Sequence, residues 1–281
     1  MTEITESGLR PDMVVSTEWL AQHLQDPDLV ILHVGVLGRE DYEDAHIPGA
    51  RFVALEEIAP VRPGLGFELP TVAEAEQLFS RLGIGGHTRV VLYGDWAGLA
   101  AARAYWTLDY FGHGDRTQVL DGGLEKWQED DLPVSDSPPA AITPAQFKAK
   151  INPGILTDMP SVRRACAAHK PVLIDGRPKE EYTGELAIEA VPRGGHIPGA
   201  VHLFWQELIE SKFDPRLRSV AEMRQKLQAA GVAPGEKTIF YCRTGVQASF
   251  LYFVAKLLGY QSTVYDGSFQ EWSNAADTTV E

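Results

Sequence analysis

The chain has 281 residues, 44% of them hydrophobic and 23% charged, with a formal net charge of −14 at pH 7. These proportions exclude a fibrous or disordered protein, and the negative charge disfavours nucleic acid and anionic membrane as partners. Two cysteines, Cys166 and Cys242, are too few for a disulfide framework, and no C-x-x-C pair suggests zinc, so any cysteine chemistry rests on a single thiol.

The first residues, MTEITESGLRPDM, are acidic and polar, unlike a secretory leader. No apolar run reaches the length of a membrane span, so a soluble cytoplasmic protein is expected. Length alone favours two domains of roughly 150 residues each. Short apolar, β-branched runs at VILHV (30–34), VVLY (90–93) and QVL (118–120) predict buried parallel strands in the first half. His46-Ile47-Pro48-Gly49-Ala50 lies between the first two, Phe111-Gly112-His113 precedes the third, and Asp121-Gly122-Gly123 with Trp127 follows it. Residues 131–147, DLPVSDSPPAAITPAQF, contain four prolines and few large apolar side chains, which predicts a linker.

The same landmarks then return in the same order. VLID (172–175) and TVY (263–265) again read as strands, while His196-Ile197-Pro198-Gly199-Ala200, TIFY (238–241), Leu258-Gly259-Tyr260 and Asp266-Gly267-Ser268 with Trp272 repeat the first half at displacements drifting from 150 to 145 positions. A repeat of this length is a duplicated domain, not a solenoid unit. Alternating strands and helices predict two α/β domains, each built on a mostly parallel central sheet flanked by helices. Ligands of such sheets sit beyond the carboxyl ends of the strands.

Cys242 occupies that place, in the stretch Cys242-Arg243-Thr244-Gly245-Val246-Gln247-Ala248-Ser249. Phe250, Phe253, Val254, Leu257 and Leu258 follow at helical spacing, and Gly259 is placed to stop the helix. A short loop entering a helix exposes unpaired N–H groups, and with the helix dipole these favour an anion and a lowered thiol pKa. Arg243 adds a cation, Thr244 a hydroxyl donor and Gly245 the backbone freedom of a tight cradle.

This stretch resembles the active-site loop of rhodaneses, a six-residue cradle that begins with Cys, commonly contains Gly-Val and enters a helix. The HIPGA pair, the DGG…W and DGS…W pair and the tandem arrangement match the same family, so the resemblance spans nearly the whole chain. It implies a non-catalytic rhodanese-like domain at 12–132, a linker at 133–147 and a catalytic domain at 148–276. Counting from Tyr93, Gly94 stands in the place of Cys242, so the first half has no nucleophile. The implied reaction passes sulfur from a small anionic donor to a thiol or cyanide through a Cys242 persulfide, with no metal or organic cofactor.

Substrate-binding candidates are Arg243, Thr244, Gly245, Val246, Gln247 and Arg193. The basic residue after the cysteine is similar to thiosulfate-using members. Thr244 and Pro192-Arg193 are similar to features of 3-mercaptopyruvate-using ones, where the histidine of the first HIPG motif, here His46, is also associated with the site. Thiosulfate is the favoured donor, on the charge of Arg243. His46 and His196 are expected to be turn residues, Trp127 and Trp272 core residues, Asp121 and Asp266 turn residues, Cys166 inert and Arg177 part of an ion pair. Two rivals remain: a cysteine phosphatase, whose cradle needs an arginine where this chain has Ala248, and a non-catalytic binding module. Sequence leaves the acceptor and the oligomeric state open.

Overall fold

The computed structural model describes residues 10–281 apart from Leu37, Pro138, Ala140 and Ala187; the acidic stretch up to Leu9 lies outside the described residues. The apolar runs form strands as expected: β2 (Leu29–Gly35), β6 (Arg89–Gly94) and β7 (Thr117–Leu120) in the first half join β1 (Val14–Val15) and β3 (Arg51–Ala54) in one sheet, ordered β1-β7-β6-β2-β3. The second half repeats it with β8 (Leu156–Thr157), β9 (Val172–Asp175), β10 (Val201–His202), β13 (Lys237–Tyr241) and β14 (Gln261–Tyr265), ordered β10-β9-β13-β14-β8. Every neighbour pair in both sheets is parallel. The antiparallel pairs are two small hairpins at equivalent places, β4 (Val61–Arg62) with β5 (Gly66–Phe67), and β11 (Ile209–Ser211) with β12 (Asp214–Leu217).

Helices cover the faces of the sheets, and their starts are written in the sequence. Thr71 with Glu74 and Ser219 with Glu222 form reciprocal caps for the helices Val72–Arg81 and Val220–Ala229, satisfying amides that would otherwise lack partners. The helix Val246–Leu257 departs from the simple expectation of one apolar face, because all its residues but Gln247 and Lys256 are buried. It packs on its own sheet and on its counterpart in the first half, Leu99–Tyr110. Tyr105 meets Phe253 edge-on at 4.9 Å, and Asp109 accepts hydrogen bonds from Tyr252 Oη at 2.6 Å and Lys256 Nζ at 2.5 Å. One apolar core therefore runs from Val30 and Val90 through Trp106 and Phe253 to Ile174 and Phe240.

The described residues between Leu132 and Pro153 form no helix or strand beyond an isolated bridge of Ser135 to His46, but they are not a loose tether. Ala145 N donates to Ser80 O, Lys150 N to Phe111 O and Asn152 N to Tyr110 O, while the buried Phe147 ring packs on Phe79. The connection follows the first domain as far as Asn152.

Candidate active site

β13 ends at Tyr241, whose hydroxyl accepts from Ile197 N at 3.1 Å; in the first half Tyr93 accepts from Ile47 N at 3.2 Å. This bond ties each HIPGA turn to the strand end beside it. Beyond Tyr241 the loop is held by the start of the last helix, Ser268–Asn274. Cys242 N donates to Ser268 Oγ at 3.2 Å, Phe269 N donates to Cys242 O at 2.9 Å, and Gln270 N to Arg243 O at 3.0 Å. Gly245 then takes φ +83° at the cap of the helix Val246–Leu257, a conformation in which a Cβ would be strained. The turn it makes leaves the backbone N–H groups of Thr244, Gln247 and Ala248 favouring the anionic form of Cys242, at the positive end of a twelve-residue helix.

The thiol is 1% exposed. Burial pushes it above the ordinary cysteine range; the three N–H groups pull it down and Asp175 adds a smaller upward push. The net direction is upward, which corrects the expectation of a lowered thiol pKa: the cradle favours the anion, but in this closed arrangement loss of water outweighs it.

The expected binding residues divide. The amides of Thr244 and Gln247 favour the Cys242 anion, Gly245 takes a left-handed backbone angle, and Val246 packs in the core. Arg243 is not a free cation, because its guanidinium pairs with Glu181, Nε donating to Oε2 at 3.1 Å and Nη2 to Oε1. Arg193 is not brought to the loop. It caps the far end of the last helix, donating to Ser273 O, Trp272 O, Ala275 O, Thr278 O and Thr278 Oγ1, so its guanidinium is committed there.

The residues read as structural are so placed. Arg177 is buried on Asp175 at 2.6 Å, donates to Gly195 O and lies 4.0 Å over the Phe269 ring. Both ring nitrogens of His46 face carbonyl oxygens, of Tyr42 at 2.7 Å and Ser137 at 3.1 Å; His196 stacks on Tyr182. Trp127 and Trp272 are buried and donate to Pro133 O and Thr279 O. Cys166 is half-buried, and burial pushes its thiol up. Among the described residues no three His, Cys, Asp or Glu side chains gather as metal ligands.

The rhodanese-like domain profile matches residues 16–130 and again 159–275. The chain belongs to the rhodanese family. A thiosulfate sulfurtransferase of Azotobacter vinelandii is 33% identical, with 96% of this chain and 97% of that one covered. A 3-mercaptopyruvate sulfurtransferase of Escherichia coli K12 is 30% identical over 95% and 97%. The solved anaerobic ergothioneine biosynthesis enzyme of Chlorobium limicola, bound to trimethyl histidine, superimposes with a TM-score of 0.84 at 25% identity, covering 98% of this chain and 71% of that one.

The two rhodanese domains differ at the loop. Gly94 carries no thiol, and it has no room for one: a Cβ there would lie 2.3 Å from Val34 O. The following Asp95 turns inward, accepting from Val36 N at 2.7 Å and meeting His33 Nε2 at 3.1 Å. Each domain also lends its hairpin to the other. After β5, Leu69 N donates to Asp266 Oδ2 at 2.9 Å; at the end of β12, Leu217 N donates to Asp121 Oδ1 at 2.9 Å. Local pattern makes both aspartates turn residues, and it gives no sign of Ser268, Glu181 or Arg103. The repeat held a signal for the aspartates, since they recur at matching places, but their partners lie in the opposite half and no local pattern names them.

Proposed function

We propose that this rhodanese moves a sulfane sulfur from thiosulfate to a thiophilic acceptor, cyanide or a thiol, through a persulfide on Cys242. The observation that carries this is the buried Cys242 thiol in the loop between β13 and the helix Val246–Leu257, its anion favoured by the N–H groups of Thr244, Gln247 and Ala248. The Cys242 thiolate attacks the outer sulfur of thiosulfate, a new S–S bond forms, and the old one breaks as sulfite leaves with its electron pair. The outer sulfur of the persulfide then holds the negative charge in the amide cradle. An acceptor nucleophile takes that sulfur and the thiolate leaves, closing a ping-pong cycle. A reducing compartment keeps a lone thiol free, and on that argument we place the protein in the cytoplasm.

A second donor is favoured by one observation. Glu181 neutralises part of the Arg243 charge, which removes some of the advantage of a dianion and suits 3-mercaptopyruvate, whose C–S bond would break to leave pyruvate enolate. The test compares kcat/KM for thiosulfate and 3-mercaptopyruvate with a common acceptor, and follows the intact mass of the chain after donor alone. Gain of one sulfur atom that disappears in Cys242→Ser supports the reading; turnover retained by Cys242→Ser overturns it. Higher kcat/KM with 3-mercaptopyruvate moves the assignment to the second donor.

A further inference from the structure

The junction around Gly245 holds a charged pair that its counterpart in the first domain lacks. Arg103, on the first-domain helix Leu99–Tyr110, is completely buried, and its guanidinium spans Asp266 of the second domain, Nη1 to Oδ1 at 2.5 Å and Nη2 to Oδ2 at 3.2 Å. This pair presses on the catalytic loop. A Cβ added to Gly245 would lie 2.5 Å from Asp266 Oδ1 and 2.6 Å from Arg103 Nη1, so the ion pair is packed directly on the glycine that starts the helix.

The internal repeat supplies the comparison. Gly98 caps Leu99–Tyr110 as Gly245 caps Val246–Leu257, both at φ +83°. Asp121 repeats Asp266 and accepts the same kind of amide bond from the opposite hairpin. Counting from the two glycines, however, Phe250 stands where Arg103 does, and a Cβ on Gly98 would meet nothing within 4 Å. The loop with the thiol is clamped and the loop without one is not. Stability is a poor explanation for the clamp, since burying an arginine and a carboxylate costs about as much as their attraction returns.

We infer that Arg103, contributed by the domain without a nucleophile, is a positioning residue: through Asp266 it fixes the Gly245 peptide, and with it the aim of the Thr244, Gln247 and Ala248 N–H groups at Cys242. The inference rests on Cys242 as the sulfur-carrying residue. Its test is read first without any donor, so it can fail independently of the sulfurtransferase assignment.

Arg103→Phe copies the Phe250 and Asp121 arrangement that the molecule already accommodates at the other junction. In the full chain, the pH profile of Cys242 alkylation by iodoacetamide is followed by peptide mass spectrometry, with Cys166 as internal control; kcat and KM for thiosulfate are then measured. Misaimed amides stabilise the thiolate less, so the Cys242 midpoint should rise by about one pH unit. kcat should fall roughly tenfold or more, with donor KM within about twofold and the Cys166 profile unchanged. Arg103→Lys keeps the charge without the fork and should lie between. A folded Arg103→Phe with parental Cys242 midpoint and kcat overturns the inference. If Arg103→Phe does not fold, Arg103→Lys decides it by the same two readouts: an intermediate shift supports the inference and parental values overturn it.

Discussion

At Gly245 two demands meet in one residue. Its φ of +83° starts the helix, and its missing side chain lets the Arg103–Asp266 pair approach. Gly245→Ala should therefore lower stability by more than about 1 kcal/mol from backbone strain alone, with further loss from the clash and a fall in kcat, measured by urea unfolding and steady-state rates. At Cys242 the sign follows from burial: a thiol held above its ordinary range is mostly protonated at neutral pH, so its alkylation rate should climb with pH into and beyond the usual cysteine range. A rate already flat by neutral pH would contradict this. Cys242 itself was legible in the sequence, because strand, loop and helix surround it in order. The restraint on Arg243 was not: Glu181 is 62 positions away, and its burial depends on how β9 and β13 lie together.

The β4–β5 hairpin shows what an element borrowed from the opposite domain can do. It leads to Glu68, whose carboxyl is pushed up to about 8, first by burial and then by Asp266, with Glu271 adding to the push and Arg103 and Arg62 opposing it. The folded chain thus keeps a proton that the unfolded chain releases at ordinary carboxyl pH, and stability conferred at low pH is lost as pH rises towards 8. Glu68→Gln should flatten this dependence, so its urea midpoint relative to the parent should improve on going from pH ~5 to pH ~8.5; an unchanged difference would show that Glu68 does not hold the proton. Across the molecule, Arg216 stands in the equivalent place and pairs with Asp214. The central strands could be read from their apolar runs. The hairpins could not, since strands of two to four residues leave too little of a period to detect.

At the scale of the whole molecule, the two copies share one buried core. It passes without interruption through the packed helices Leu99–Tyr110 and Val246–Leu257, and Arg10 N donates to Leu257 O across the same boundary. Calorimetry should therefore show one unfolding transition with equal calorimetric and van't Hoff enthalpies, and two resolved transitions would refute this. The repeat made the two-domain division legible, but not the reciprocal covering of each loop, because pairing between halves depends on docking and not on local pattern.

The crowding at Gly94 reaches beyond the present chemistry. With the Val34 oxygen occupying the space a side chain would need, a cysteine introduced at position 94 does not fit unless β2 shifts as well. The first copy thus holds its strand ends closer together than a side chain at that position allows, and gaining one there is a change of two strands, not of one residue.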